Sequence, residues 1–377
     1  MRRFGPLVRQ VLFLVGSSVL VALIAWLVAL AAGARANEPA FLRHTGAPNM
    51  PRPALLSAEG MIPSLASATA WINTKPIAAE ELRGKVVLID FWTYTCINWR
   101  RTVPYLRSWV ERYGKSGMLL IGVHSPEFVF ERDLDNVRQA VQQIGVGYPV
   151  AVDNEFSIWH AFKNQYWPAL YIFDSQGRLR HQQFGEDGYE QAEGVIRRLL
   201  QEAGQAALDS GAPRVDAAGA EAAAAWRDLR SGENYLGSSR TRNFVSPGGI
   251  APGKPHAYAA PSGLALNRWA LAGTWTIDAD HVTAGAAAAK IAYRFHARDL
   301  HLVMGPETRG QAIRFRVLLD GKPPGGSHGS DLDKEGNGTL REQRMYHLLR
   351  QAGPIEDRLF EIEFLEPGAA AFSFTFG

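Results

Sequence analysis

Cys96 is the single cysteine of this 377-residue chain, so all thiol chemistry within it depends on one sulfur. One cysteine excludes an internal disulfide, a multi-cysteine zinc site and a two-cysteine redox centre. A lone thiolate can still attack a disulfide to form a mixed disulfide, which an external thiol must then resolve. It can also reduce a peroxide and become a sulfenic acid, again regenerated from outside. The remaining alternative is a small buried apolar residue with no redox role.

The residues around Cys96 predict a strand before it and a helix after it. Residues 86–91 (VVLIDF) are apolar and rich in β-branched side chains, and residues 100–113 repeat apolar side chains at helical spacing. A thiol at the start of a helix meets free backbone N–H groups and the positive end of the helix dipole, which stabilise its thiolate. Arg100 and Arg101 would add positive charge if they turn toward the sulfur.

Two other neighbours bear on this thiol. Trp99 follows Cys96 by three residues, and as an apolar lid it would raise the pKa of the thiol and oppose the helix dipole. Asp90 lies late on the predicted strand. It is either a buried carboxyl that transfers protons beneath the thiol or a strand-end residue that faces solvent. The sequence favours neither alternative.

Residues 62–203 alternate strands with helices, which predicts an α/β domain with a mixed sheet flanked by helices. Further strands are predicted at 118–124, 148–153, 169–174 and 179–184, and further helices at 133–144, 156–162 and 190–203. Ser-Gln-Gly separates the last two strands, which is a hairpin signal.

Four segments of this domain resemble the thioredoxin-like redoxin family, and most of all the exported C-terminal region of DipZ-type cytochrome c biogenesis proteins. They are VVLIDFWTYTCINW, GMLLIGVHSPEF, YPVAVDN and YWPALYIFDSQGRLRHQQFGE. The resemblance implies a thioredoxin-like fold with a Cys-x-x-Cys turn at positions 96–99, in which Trp99 replaces the second cysteine. It also implies a cis-proline opposite the turn, at Pro168. The turn and groove would contain Trp92, Thr93, Thr95, Trp99, Arg100, Arg101, Trp167 and Pro168.

The pattern at the N-terminus predicts a targeting signal, which we assign to residues 1–36. Residues 10–34 have no charged side chain and are long enough to cross a bilayer as a helix of about 20 residues. Arg2, Arg3 and Arg9 precede this run and would keep the N-terminus in the cytoplasm, so the rest of the chain would be exported. A retained anchor would leave the protein at the periplasmic face of the inner membrane. Cleavage at Ala34-Arg35-Ala36 would release it to the periplasm.

The charge balance argues against a nucleic-acid partner. The formal net charge is +3, but four arginines lie in residues 1–36, and the remaining 36 basic residues face 37 acidic ones. No clustered basic face is therefore expected in the folded part. The ten histidines are dispersed and show no metal-ligand spacing. We expect neither a metal nor a cofactor.

A second domain is predicted at residues 234–377, after a proline-containing spacer at 37–61, the first domain and an alanine- and glycine-rich linker at 204–233. Short strands between glycine-rich turns favour an all-β sandwich or jelly roll. This stretch resembles the C-terminal extension of DipZ-type proteins, which looks like a carbohydrate-binding module. Sugar binding would use exposed aromatic and polar side chains, although each is also explained by packing. The candidates are Tyr258, Trp269, Trp275, Arg344 and Tyr346.

The leading hypothesis is an exported thiol-redox protein in which Cys96 performs monothiol disulfide exchange. Its partners would be an external thiol or a redox protein. A second hypothesis, from a different class, is a non-catalytic binding protein whose groove holds a polypeptide and whose β domain holds a glycan or protein. A third is a monothiol peroxidase with an antioxidant role. Thr93-x-x-Cys96 matches part of a peroxidase signature, but Ile89 replaces its proline.

Overall fold

The computed structural model describes residues 59–205, 215 and 217–377, all within one compact unit. The charge-free run at 10–34, the cleavage site and most of the spacer lie outside the described residues. Within the described ranges, no helix has both the length and the apolar character needed to cross a membrane.

The first part of the chain forms a seven-stranded sheet of mixed direction. Its strands are β1 (Glu59–Met61), β2 (Ala70–Ile72), β3 (Val86–Trp92), β4 (Met118–His124), β5 (Val150–Val152), β6 (Ala169–Phe173) and β7 (Arg178–Phe184). They lie in the order β1-β7-β6-β3-β4-β5-β2. The β3–β4 and β4–β5 pairs are parallel, and β3 is antiparallel to β6. The predicted mixed sheet and its closing hairpin, β6–β7, are confirmed.

Five helices accompany this sheet. They are α1 (Ala79–Leu82), α2 (Ile97–Tyr113), α3 (Leu134–Ile144), α4 (Ser157–Ala161) and α5 (Tyr189–Glu202). Helix α3 has strong local end signals, because the Asp133 side chain accepts hydrogen bonds from two backbone N–H groups and Gly145 follows with a φ of 74°. Helix α2 begins three residues before the predicted start, because its first turn includes the buried Ile97.

The second part is one large curled all-β sheet. Its strands are β8 (Asn234–Tyr235), β9 (His256–Tyr258), β10 (Trp269–Ile277), β11 (Val282–Ala284), β12 (Ala289–Phe295), β13 (Asp299–Pro306), β14 (Ile313–Leu319), β15 (Asn337–Leu340), β16 (Arg344–Arg350), β17 (Arg358–Phe364) and β18 (Ala369–Phe376). The main order is β15-β14-β17-β12-β10-β11-β18-β13-β16. The predicted all-β character is confirmed.

Strand β10 joins the two halves of the curled sheet. Its first four residues pair with β12, and its last three pair with β11. Gly273 lies between these segments with a φ of 90°, a left-handed conformation that glycine adopts without strain. One strand can therefore serve both halves, which share a single aromatic and aliphatic core.

The two parts share a second hydrophobic cluster. Phe372 of β18 contacts Phe128 and Phe130 of the first part, with ring centroids 5.2 and 4.8 Å apart. All eight residues of β18 are buried, because one face lines the curled core and the other lies against the first part. Residues 204–233, predicted as a linker, are described except for 206–214 and 216.

We expect Phe372→Ala to reduce the free energy of unfolding by about 3–5 kcal/mol, because it opens a cavity in a cluster that both parts build. Urea unfolding followed by tryptophan fluorescence measures this loss. Leu365→Ala is the matched control, since Leu365 is 38% exposed and should lose about 1 kcal/mol or less. Equal losses in the two variants would contradict a shared cluster.

Candidate functional site

Cys96 is the N-cap residue of α2, at the end of the short turn that follows β3. The turn is closed by a hydrogen bond from the Cys96 N–H to the carbonyl of Thr93, at 3.3 Å. The next turn of helix begins when the Arg100 N–H donates to the Cys96 carbonyl, at 3.0 Å. The sulfur is thus placed at the junction that the sequence predicts, and the residue is half-buried.

The surroundings of Cys96 disfavour its thiolate. Burial raises the pKa of the thiol well above its ordinary value, and the carboxylates of Glu233 and Glu127 raise it further. The backbone N–H groups of Trp99 and Asn98 act in the opposite direction, as expected at a helix start, but they do not outweigh burial. The helix start is expected to lower the pKa of the thiol and make it reactive. Desolvation and two nearby acids counteract this effect.

The two arginines after Cys96 do not supply the expected positive charge. Arg101 is buried and pairs with Glu186 at 2.8 Å, while its other nitrogen donates to the carbonyl of Phe376 at 3.1 Å. Arg100 lines a cavity between α2, α3 and the curled sheet. The ionisable side chains that act most on the sulfur are Glu233 and Glu127, so the condition for the arginines' effect, that they turn toward the sulfur, is not met.

Trp99 is fully buried and belongs to the core. Its ring stacks on Trp92 with centroids 4.1 Å apart, and its Nε1–H donates a hydrogen bond of 2.9 Å to Asp90. The interpretation of Trp99 as a lid over the sulfur is therefore replaced by one in which it ties α2 to β3.

Asp90 is buried, which decides between the two alternatives that the sequence left open. Burial raises the pKa of Asp90 to about 8, and the hydrogen bond from Trp99 lowers it in part. The carboxyl is thus protonated over much of the neutral range. The strand-end interpretation, with Asp90 facing solvent, is wrong.

Pro168 lies across the sheet from the turn that carries Cys96. The peptide bond between Trp167 and Pro168 is cis, as the resemblance implies. Phe91 pairs with Ala169 in the β3–β6 ladder, so Pro168 is next to Trp92 at the strand end. The Trp167 ring packs on Trp159, with centroids 4.4 Å apart.

Glu131 holds the turn together and was missed by sequence reasoning. Its side chain is fully buried and accepts hydrogen bonds from the Thr95 hydroxyl at 2.7 Å and from the Phe128 N–H at 2.9 Å. Thr93 is buried beside it. The only signal in the sequence is an acid directly after the apolar residues of FVFER, which does not reveal a tertiary partner 36 residues earlier.

The aromatic candidates of the curled sheet do not form an exposed sugar-binding face. Tyr258, Trp269 and Trp275 are buried in its core, because strand alternation directs them inward. Tyr346 is buried in the same core, so the expectation of exposed rings is wrong for all four aromatic candidates. Arg344 and Tyr346 do lie together, with the guanidinium 3.8 Å from the ring centroid, on the wall of the cavity that Arg100 also lines.

Across residues 59–205 and 217–377, no group of three or more histidine, cysteine, aspartate or glutamate side chains is placed to hold a metal ion. The side chains of this site that can take part in chemistry include the Cys96 thiol and the buried Asp90 carboxyl on β3.

A buried strand, a turn with one thiol, a long helix and an opposing cis-proline define a thioredoxin-like fold. Residues 62–182 match the AhpC/TSA family, and residues 231–377 match the thioredoxin-like C-terminal domain. DipZ of Mycobacterium tuberculosis is 37% identical over 72% of this chain and 38% of its own length. The thiol-disulfide oxidoreductase YkuV of Bacillus subtilis is 30% identical over 37% of this chain and 95% of its own length.

The chain therefore belongs to the thioredoxin-like redoxin family, with homologues that are thiol-disulfide oxidoreductases. It spans only 38% of the length of the DipZ proteins that it matches. A solution structure of a thioredoxin-like protein in its oxidised form is 30% identical, with a TM-score of 0.35, over 38% of this chain and 95% of that chain.

We expect the free energy of unfolding to fall with rising pH between about 4 and 8 because of Asp90. In this window the unfolded chain releases the proton while the folded chain keeps it, since the folded pKa is about 8 and the ordinary value is 3.8. The slope from one such group is at most about 1.4 kcal/mol per pH unit. Asp90→Asn removes this contribution. The free energy of unfolding of the variant, relative to that of the native chain, should therefore increase as the pH rises from about 4 to 8. Urea titrations at several pH values test this, and parallel curves would contradict a neutral buried Asp90.

Proposed function

We propose that this protein performs single-thiol disulfide exchange, with Cys96 as the nucleophile and an external thiol or redox protein as the resolving partner. The observation that carries the proposal is the position of Cys96 at the start of α2, with the core residue Trp99 where the family has its second cysteine. The turn, the cis-proline opposite it and the backbone N–H groups around the sulfur support the proposal, while an internal resolving thiol is excluded by the sequence.

The proposed cycle exchanges one disulfide for another. The Cys96 thiol loses its proton and attacks one sulfur of the substrate; a new S–S bond forms, and the other substrate sulfur leaves as a thiolate that takes up a proton. An external thiolate then attacks the substrate sulfur of the mixed disulfide. Cys96 leaves as a thiolate and is protonated again, so it returns unchanged.

The raised pKa of Cys96 makes both steps slow. Little thiolate is present at neutral pH, which limits attack, and a sulfur of high pKa is a poor leaving group when the mixed disulfide is resolved. We therefore propose a long-lived mixed disulfide rather than rapid turnover. Peroxide reduction demands a thiolate at neutral pH and is disfavoured for the same reason.

Reaction with dithionitrobenzoate tests the exchange step. We expect one equivalent of coloured thiolate per chain, at a rate that keeps rising with pH beyond about 8.5, the ordinary pKa of cysteine. The adduct should persist until an external thiol is added. Cys96→Ser is the control and should release nothing. Failure of the native chain to form an adduct even at pH 9 would contradict the proposal.

Trp99→Cys should convert slow exchange into internal resolution. The new thiol lies one helical turn from Cys96, so it can displace the bound group and release a second equivalent. The substitution also removes a buried ring and should cost about 3–5 kcal/mol of stability. Trp99→Ala is the matched control, because it opens a similar cavity without a thiol. Equal release by the two variants would mean that this groove no longer supports dithiol chemistry.

A second candidate is a non-catalytic binding protein, and the raised pKa of Cys96 is the observation that favours it. In that case Cys96→Ala would leave partner binding unchanged, and Cys96 in the native chain would be alkylated as slowly as an ordinary thiol. Adduct formation that protects the chain from alkylation would favour exchange instead.

We propose that the protein acts after export, at the periplasmic face of the inner membrane or in the periplasm. The charge-free run at 10–34 and the arginines before it support this location. We also propose the domain limits 62–203 and 234–377, which the family matches at 62–182 and 231–377 support in part, since the first match ends before residue 203. The relationship to DipZ supports a redox partner protein in that compartment.

A further inference from the structure

A cavity of about 400 Å³ lies where α2 and α3 meet the curled sheet. Its volume falls within the range of small-molecule sites, roughly 300–1,000 Å³. Tyr94 and Arg100 contribute to its wall from either side of Cys96 in the sequence, and the β15–β16 region contributes the opposite wall. The Tyr94 hydroxyl donates to the carbonyl of Gln343 at 3.4 Å, which links the two walls.

The charges of the lining do not balance. Three guanidinium groups, those of Arg100, Arg341 and Arg344, face two carboxylates, those of Asp331 and Glu342. The net charge of these groups is therefore +1.

Both carboxylates are already engaged by the protein. Asp331 pairs with Arg344 at 2.6 Å and accepts the His347 N–H at 2.7 Å. Glu342 accepts hydrogen bonds from the side-chain amides of Gln139 and Gln143, the latter at 3.2 Å. Neither acid forms an ion pair with Arg100, and the charge of Asp331 acts on it only from beyond ion-pair distance.

Two cations of this cavity, Arg100 and Arg341, have no ion pair among the described residues, and Arg100 is the less exposed of the two. Its Nε is buried and has no hydrogen-bond partner, and its guanidinium forms no ion pair with any described residue. Two neighbouring cations, Arg107 and Arg344, are each held by their own carboxylate, at 3.0 and 2.6 Å. A buried guanidinium without an anion is costly, since it loses hydration without a compensating partner.

We propose that this cavity binds a small, polar, monoanionic molecule whose carboxylate pairs with Arg100. A guanidinium matches a carboxylate through two parallel N–H···O bonds, and the net lining charge of +1 suits one negative charge. The hydroxyls of Ser330 and Thr339 and the amide of Asn136 also line the cavity and can hydrogen-bond a hydroxylated or amide-containing body. A sugar acid and a short peptide with a free carboxylate share this chemistry.

The site is independent of thiol chemistry, because Cys96 is not part of the lining. Its occupation would nevertheless connect the two parts of the chain next to the turn that carries the sulfur.

Isothermal titration of the full chain, carrying Cys96→Ser to remove thiol reactions, tests the proposal with two probes. Glucuronate represents the sugar acid and N-acetylglycylglycine, whose acetyl group removes the terminal ammonium charge, represents the peptide; glucose is the neutral control for glucuronate. We expect at least one carboxylate to bind with a dissociation constant of about 1 mM or tighter, and glucose not to bind. The probe that binds identifies the source.

Arg100→Gln should weaken that binding about tenfold or more, because it removes the charge-assisted pair. Arg138→Gln is the matched control, since Arg138 lies on the exposed face of α3 and outside the cavity, and it should bind as the parent does. Circular dichroism and a thermal melt confirm that each variant is folded. Absence of binding by both carboxylates overturns the proposal whatever the variants do, and so does a folded Arg100→Gln variant that binds as tightly as the parent.

Discussion

The hydrogen bond from the Trp99 indole to the Asp90 carboxyl joins α2 to β3 in a part of the core from which water is excluded. Loss of either partner would leave the other without a hydrogen bond in the core, and an unpaired buried polar group costs about 1–3 kcal/mol of folding free energy. The same indole ring stacks on Trp92. Trp99 occupies the helix position at which the family resemblance implies a second thiol. Its side chain packs in the core and donates a hydrogen bond to a buried acid. This leaves the chemistry of one sulfur.

The curled sheet and the residues before it contribute to the electrostatic environment of the Cys96 sulfur. Glu127, which acts on the Cys96 thiol, is held by the Tyr235 hydroxyl at 2.5 Å and by Arg240 at 3.1 Å, both from the second part of the chain. Glu233 acts on the same thiol from that part as well. The nucleophilicity of Cys96 is thus a property of both parts together. A chain with the first part alone would carry the same turn in a different electrostatic field.

The elements predicted best are those whose signals are local. Strand β4 was predicted at its observed limits, because a continuous apolar run can be buried only in the middle of a sheet. Helix α3 was predicted within one residue, because Asp133 caps its start and Gly145 ends it. The short strands β1, β2 and β9 were not predicted, since three-residue segments owe their structure to the partner strand rather than to their own pattern.

Residue counts and local periodicity are enough to establish that there is one thiol, that it stands between a buried strand and a helix, and that no internal disulfide can form. The directions of the side chains in this region depend on the folded chain: Trp99 points into the core, Arg101 to Glu186, and Arg100 to the cavity. The reason is physical, because burial and electrostatic pairing depend on groups far apart in the chain. No spacing along a helix reveals which carboxylate, if any, a given arginine will meet.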